Sequence, residues 1–150
     1  MSMAEDVPRV RVILEPGARS PEYKSLGAAG ADLRALLKEP IHLGPGARAA
    51  VPTGIRMEIP DGWEGQIRPR SGLALEHGIT CINSPGTVDS DYRGEIKVLL
   101  VNASDREFTI RDGDRIAQIV IAPARRVFFE IAPTLSETER GGGGFGSTGI

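Results

Sequence analysis

The sequence predicts an all-β fold, an antiparallel sandwich, jelly roll or barrel, on three observations. Apolar residues recur at strand period, turn clusters interrupt them often, and glycine (19) and proline (11) together make 30 of the 150 residues. A strand sends alternate side chains to opposite faces. Val10, Val12 and Leu14 therefore read as one strand, Ile55, Met57 and Ile59 as a second, Ile96, Val98 and Leu100 as a third, and Ile116, Gln118 and Val120 as a fourth. Turn-forming clusters at residues 15–17, 43–46, 60–62, 84–86 and 111–114 separate them. One short helix is expected over residues 71–77, with Ser71 as its cap and Leu73, Ala74 and Leu75 favouring the conformation. Trp63 and Cys81 read as core, and Arg125 and Arg126 as a solvated strand edge. After Pro133 the pattern stops. Residues 1–135 are expected to form one β domain and residues 136–150 a flexible glycine-rich C-terminal arm, in which Phe145 is isolated among small and polar residues.

Composition narrows the function classes. A formal net charge of −2 argues against a nucleic-acid polymer as partner, because phosphate-backbone binding usually leaves a basic surface. A small anionic ligand met by a few local arginines fits that balance. Cys81 is the single cysteine and has no intramolecular disulfide partner. The opening MSMAEDVPRV carries acids and no apolar core, so no secretory signal is expected, and no apolar run approaches membrane-spanning length. The expectation is a cytoplasmic protein with no membrane partner.

Residues 86–98, GTVDSDYRGEIKV, hold more polar chemistry than a hairpin needs. Gly94 already supplies a turn corner, so Asp89, Asp91, Tyr92 and Arg93 ask for a further reason, although solvated turn residues would also account for them. Val88 before Asp89 suggests a carboxylate at the end of a buried strand, partly desolvated and able to act as a general base.

RPRSGLALEHG, residues 68–78, suits anion binding. Arg70 offers a forked donor and Ser71 a hydroxyl at a helix start, whereas covalent catalysis by Ser71 lacks the flanking glycines and the neighbouring histidine. A structural cap and a surface charge are the plainer alternative. RGGGGFGSTG, residues 140–149, nearly spells a phosphate-binding loop but carries serine in place of lysine and lacks the strand and helix on either side. Freed backbone N–H groups, two hydroxyls and Arg140 still suit phosphate oxygens, as a flexible lid or else as a plain tail.

Gln118 shares a face with Ile116 and Val120, so a core-facing amide is expected there, in need of protein or ligand partners. Asp32, in AAGADLRA, is one carboxylate on a strand of small residues that permit close approach. Two metal patterns fail. The Asp89, Asp91, Gly94 spacing matches the start of a calcium loop, but Arg93 occupies a ligand position; His77 and Cys81 are two ligands short of a zinc site.

Together the segments resemble the trimeric dUTP pyrophosphatases, or dUTPases. The five family motifs appear in order: AGADL around Asp32, RPRSGLA around Ser71, GTVDSDYRG around Asp89, GDRIAQ around Gln118 and RGGGGFGSTG at the end. The resemblance runs from about Val10 to the end of the chain. It implies a jelly-roll-like subunit in a homotrimer, each active site shared between three chains. It implies hydrolysis of dUTP to dUMP and pyrophosphate, keeping uracil out of DNA and supplying dUMP for thymidylate synthesis. Asp89 would match the aspartate that activates water for attack on the α-phosphorus. Mg2+ would be held by the triphosphate, with Asp32 touching its water shell.

Arg70, Ser71 with Gly72 beside it, Gln118 and Arg140 would hold phosphates, and Gly146, Ser147 and Thr148 would close on the γ end. Tyr92 would pack under the deoxyribose and exclude a 2′-hydroxyl. Backbone groups of the hairpin containing Asn83, Gly86, Thr87 and Val88 would read uracil, and Phe145 would stack on it. Four successive glycines make the arm plainer than the family pattern. The same fold serves deoxycytidine triphosphate deaminases, but these carry a glutamate where this chain has Leu99. A non-catalytic nucleotide-binding regulator would not need Asp89.

Overall fold

A computed structural model of the chain describes residues 7–149; the opening segment read for a secretory signal lies mostly outside these, as does Ile150. Among the described residues ten strands and one helix follow in order: β1 (Arg11–Leu14), β2 (Ala31–Arg34), β3 (Ile41–Leu43), β4 (Arg48–Glu58), β5 (Trp63–Arg68), α1 (Ser71–His77), β6 (Ile79–Cys81), β7 (Gly86–Val88), β8 (Glu95–Asn102), β9 (Phe108–Ile110) and β10 (Arg115–Pro123). One four-stranded sheet has the order β1-β4-β8-β6, a second β2-β10-β5-β7, and β3 pairs with β9. All pairings are antiparallel. The architecture is the all-β, jelly-roll-like one that the alternation predicts.

The core lies between the sheets. Leu33, Ile55, Ile96, Val98, Leu100, Ile110 and Ile116 are almost completely buried, and each such side chain contributes about 1.5–3 kcal/mol relative to exposure. Two buried polar residues are satisfied. The Thr53 hydroxyl donates to Ile96 O at 2.6 Å. The Asn102 amide donates to Leu43 O and Arg106 O at 2.8 and 2.7 Å and accepts from Ser104, which ties β8 to the β3 end and to the loop after it.

The helix occupies Ser71–His77 as expected, but Ser71 does not cap it. Arg70 is the cap residue in extended conformation, no side chain bonds the free N–H groups, and Ser71 is the first helical residue. Gly78 ends the helix at φ 65°, where its N–H reaches the Ala74 and Leu73 carbonyls. β1 is an edge strand whose four residues are all exposed in a single chain. Arg125 and Arg126 are exposed, but beyond the end of β10 at Pro123 rather than on a strand edge. Past them Val127, Phe128, Phe129 and Ile131 are exposed too.

The alternation in β10 departs from the simple reading. Its pairing with β2 shifts register between Arg115 and Ala117, and such a bulge moves every later side chain to the opposite face. Ile116, Ala117 and Ile119 are buried, while Gln118 and Val120 are half-buried on the other side. Gln118 therefore does not face the core. None of the described helices is long and apolar enough to cross a membrane.

Candidate active site

β7 belongs to one sheet and β8 to the other, so residues 89–94 form the corner by which the chain changes sheets. A cleft of about 400 Å³ opens at that corner, lined by Asn83, Gly86, Thr87, Val88, Asp89, Tyr92 and Leu99 among others. The sequence reading thus brings together one set of its residues: the hairpin, the carboxylate and the tyrosine. Asp89 follows the buried Val88 but is itself exposed in the single chain, not desolvated as the strand-end argument suggested, because it stands in the turn outside the sheet.

The corner is held by its own backbone and two side chains. Tyr92 N–H donates to Asp89 O at 3.1 Å, and the Tyr92 hydroxyl donates to Glu95 O at 3.0 Å. The ring lies so close over Gly94 that an added Cβ there would stand 2.3 Å from the phenol oxygen. Gly94 is a packing requirement of Tyr92 as much as a turn residue. Arg93 Nη1 donates to Ser90 O at 2.6 Å and to Tyr92 O at 3.1 Å.

A second set assembles on the sheet β2-β10-β5. Gln118 is paired with Asp32 on one side and Arg68 on the other, so three strands bring chemistry-bearing residues into one row. The Asp32 side chain is 13% exposed; its Oδ2 accepts from Arg115 Nη1 at 3.3 Å, and its Oδ1 lies 3.7 Å from Arg70 Nε. Arg70 Nη1 donates to Arg115 O at 3.1 Å, which fixes its direction. Gln118 Nε2 donates to Pro69 O at 3.1 Å, and its Oε1 sits where a Cβ on Gly30 would fall. Ser71 and Gly72 are exposed at the start of α1 beside this row. Arg115 was missed by sequence reasoning; the GDRIAQ segment contains it, but only the β10-β2 pairing brings it to Asp32. Nearby, the Lys24 ammonium, hydrogen-bonded to Glu22 at 2.8 Å, holds the Glu22 carboxyl below its usual range.

The two sets stand apart. β5 and β7 are antiparallel, with Gly65 opposite Val88 and Ile67 opposite Gly86. Asp89 therefore leaves the sheet beyond Gly65, while Arg68 leads to Arg70 and Ser71 from the other end of β5. At 3.3 Å per residue the ends are at least about 10 Å apart. The third set, Arg140, Phe145, Gly146, Ser147 and Thr148, joins neither. Among the described residues, the hydrogen bonds made beyond Ala124 stay within the arm, as in Arg140 Nε to Gly143 O at 2.7 Å, and Phe145 is fully exposed.

A magnesium ion would find one carboxylate here rather than a ligand set. Among the described residues no group of three or more His, Cys, Asp or Glu side chains able to hold a metal converges, and Asp32 Oδ1 has no partner at hydrogen-bond distance among them, which leaves it a hard oxygen acceptor beside the arginines. Cys81 has no such use: it is buried, and burial pushes its thiol up to about 11.

The dUTPase family pattern matches residues 17–149. A deoxyuridine 5'-triphosphate nucleotidohydrolase of Rhizobium leguminosarum bv. trifolii is 59% identical over 143 residues, covering 94% of this chain and 92% of its own. One of Treponema denticola is 61% identical over 137 residues, covering 91% of this chain and 95% of its own. Among solved structures, a Staphylococcus bacteriophage 80alpha dUTPase with dUPNHPP has a TM-score of 0.86 at 26% identity, covering 95% of this chain and 99% of its own. A dUTPase from phage phi11 of S. aureus, whose structure describes the coordination of a structural Mg(II) ion, has a TM-score of 0.75 at 24% identity and covers 84% of this chain and 97% of its own. With the family pattern spanning all five motifs and relatives this similar over nearly their whole length, the chain belongs to the dUTPase family.

Proposed function

We propose that this chain hydrolyses dUTP to dUMP and pyrophosphate, and that the corner cleft is where uracil and deoxyribose bind. One observation carries the reading: Asp89 and Tyr92 line the same cleft as the hairpin residues Asn83, Gly86, Thr87 and Val88, in a chain of this family. Backbone groups of the hairpin read the uracil edge. Tyr92 lies against the sugar and leaves no room for a 2′-hydroxyl. Asp89 takes the proton of a water aligned for attack on the α-phosphorus, and pyrophosphate leaves.

Phosphoryl transfer needs alignment and charge neutralisation more than covalent help. Arg70, Ser71 with Gly72, and Gln118 supply donors to the phosphate oxygens, with Arg70 directed by its bond to Arg115 O. Asp32, fixed by Arg115, would hold Mg2+ through water, and the ion, bound with the triphosphate, would supply neutralising charge to it. The arm, residues 136–150 beyond a β body of residues 1–135, closes over the nucleotide with Arg140 on phosphate, Phe145 on the base, and Gly146, Ser147 and Thr148 at the γ end.

We read the active site as shared between copies in a homotrimer. The separation of Asp89 from Arg70 and Ser71 along β5 supports this, since one chain presents the two sets at opposite ends. The substrate belongs to the free nucleotide pool, so the reading keeps the reaction in the cytoplasm, with neither a nucleic-acid polymer nor a membrane as partner.

Turnover of dUTP in 18O-water is the test. Label in dUMP with unlabelled pyrophosphate is expected from attack at the α-phosphorus. Label in pyrophosphate, or release of inorganic phosphate alone, would overturn the reading.

A further inference from the structure

Arg93 directly follows Tyr92, on the turn that also carries Asp89, and it makes no contact with the nucleotide in the proposed reaction. Its guanidinium turns inward onto the corner's own backbone. One nitrogen, Nη1, donates both to Ser90 O at 2.6 Å and to Tyr92 O at 3.1 Å. The other, Nη2, lies 3.8 Å from Glu58 Oε1 at the end of β4. Glu58 is itself held by Arg11 Nε on β1 at 2.8 Å, and Arg11 and Glu58 face each other in the β1-β4 register.

The result is a link from the first sheet to the turn, made by side chains that are 56% (Arg93) and 43% (Glu58) exposed. The two carbonyls it grips follow Asp89 and Asp91, so their positions set the direction in which the Asp89 carboxylate and the Tyr92 ring leave the backbone. Tyr92 N–H to Asp89 O and the Tyr92 hydroxyl to Glu95 O also tie the corner; these close the turn on itself, whereas, among the side chains of the described residues 89–94, Arg93 is the one that reaches β4. A hydrogen bond with a charged donor is the stronger kind, and the planar fork holds two acceptors and a carboxylate at once, which an ammonium cannot reproduce.

We propose that Arg93 is a positioning residue of the dUTP site, clamping the turn between Asp89 and Tyr92 to the Glu58 end of β4. The proposal rests on the reading that the corner cleft hydrolyses dUTP. Loss of the clamp leaves the fold intact and widens the range of positions available to base and ring. Turnover and sugar selection then fall together.

The experiment compares wild type, Arg93→Ala, Arg93→Lys and Glu58→Gln for kcat and KM on dUTP and on UTP, with thermal melting of each. Arg93→Ala is expected to lose about tenfold in kcat and about tenfold in preference for dUTP over UTP, while melting within about 4 °C of wild type. Added ethylguanidinium should restore part of the Arg93→Ala turnover, Arg93→Lys should fall between, and Glu58→Gln should show a smaller loss of the same kind. If Arg93→Ala keeps both wild-type kcat and wild-type sugar preference, the clamp is overturned. Should Arg93→Ala fail to fold, Glu58→Gln decides alone, and unchanged kcat and preference in that variant overturn the proposal. Wild-type protein that does not turn over dUTP would overturn the reading beneath it, a result distinct from an active enzyme indifferent to Arg93.

Discussion

Gly94→Ala isolates the position of the Tyr92 ring without touching the ring itself. The added Cβ would lie 2.3 Å from the phenol oxygen, 2.5 Å from Cζ and 2.9 Å from Cε2, so the ring must move. Tyr92 is 46% exposed, which leaves it room to swing outward at the cost of its bond to Glu95 O. That bond contributes about 0.5–1.5 kcal/mol. Gly94 has no left-handed φ, so alanine fits the backbone and returns about 0.4–1 kcal/mol by restricting the unfolded chain. The two terms nearly cancel. Stability should stay within about 1 kcal/mol, a melting shift of about 2–4 °C at this size. Selection is another matter, because a displaced ring no longer stands where a 2′-hydroxyl would enter. The ratio of kcat/KM for dUTP to that for UTP should fall about tenfold, and Tyr92→Ala should lower it at least as far, whereas Tyr92→Phe, which keeps the ring, should lower it less. Steady-state pyrophosphate release on both nucleotides measures this. An unchanged ratio in a well-folded Gly94→Ala protein would refute the steric account of sugar selection.

Further outcomes follow from the same geometry. Asp89→Asn keeps the size and hydrogen bonding of the base but not its proton affinity, so turnover should fall about 10²- to 10⁴-fold while dUTP still binds in calorimetry; retention of about a tenth of wild-type turnover or more would remove Asp89 from that role. A chain ending at Glu139 should melt close to the full chain, since the bonds made by residues 140–149 stay within the arm, yet lose most activity; a large fall in melting temperature would make the arm structural. Cys81, with its thiol raised from 9.0 to about 11 by burial, should resist iodoacetamide at pH 8 in the native protein and react on unfolding. The fold retains that proton more tightly than the unfolded chain, so the associated stability is full below about pH 9 and is lost as pH rises through about 11. Denaturant midpoints measured from pH 8 to 11 check the sign.

Much of this fold was legible because strand alternation is imposed by burial. The Ile55 and Ile96 strands and the 71–77 helix stand where their patterns predicted. β10 is instructive for the opposite reason. Its bulge between Arg115 and Ala117 turns Gln118 away from the core, and a bulge has no apolar signature in the residues it displaces. β3 and β9 are only three residues each, too short for alternation to distinguish from loop. In the site, Asp89, Tyr92 and the hairpin were readable as a local cluster because they are close in sequence. The pairing of Asp32 with Arg115, 83 residues away, needed the sheet topology, and so did the distance between Asp89 and Arg70. The Arg93 clamp and the fit of Tyr92 over Gly94 depend on side-chain directions that composition cannot specify. The cap was misread for a simpler reason: serine before a helix suggests a cap, but the helix begins on Ser71 itself.

In the proposed shared site, base, phosphate-binding groups and arm meet only when copies of the chain come together. Asp89→Asn chains and chains ending at Glu139, each nearly inactive alone, can be unfolded together in equal amounts and refolded so that trimers form at random. If base and arm at one site come from different subunits, each is intact with a chance of one half, and about a quarter of wild-type activity should return. If they come from the same chain, every site carries one defect or the other. Activity that stays at the level of the two parents, with mixed trimers verified by native mass spectrometry, would contradict the shared site.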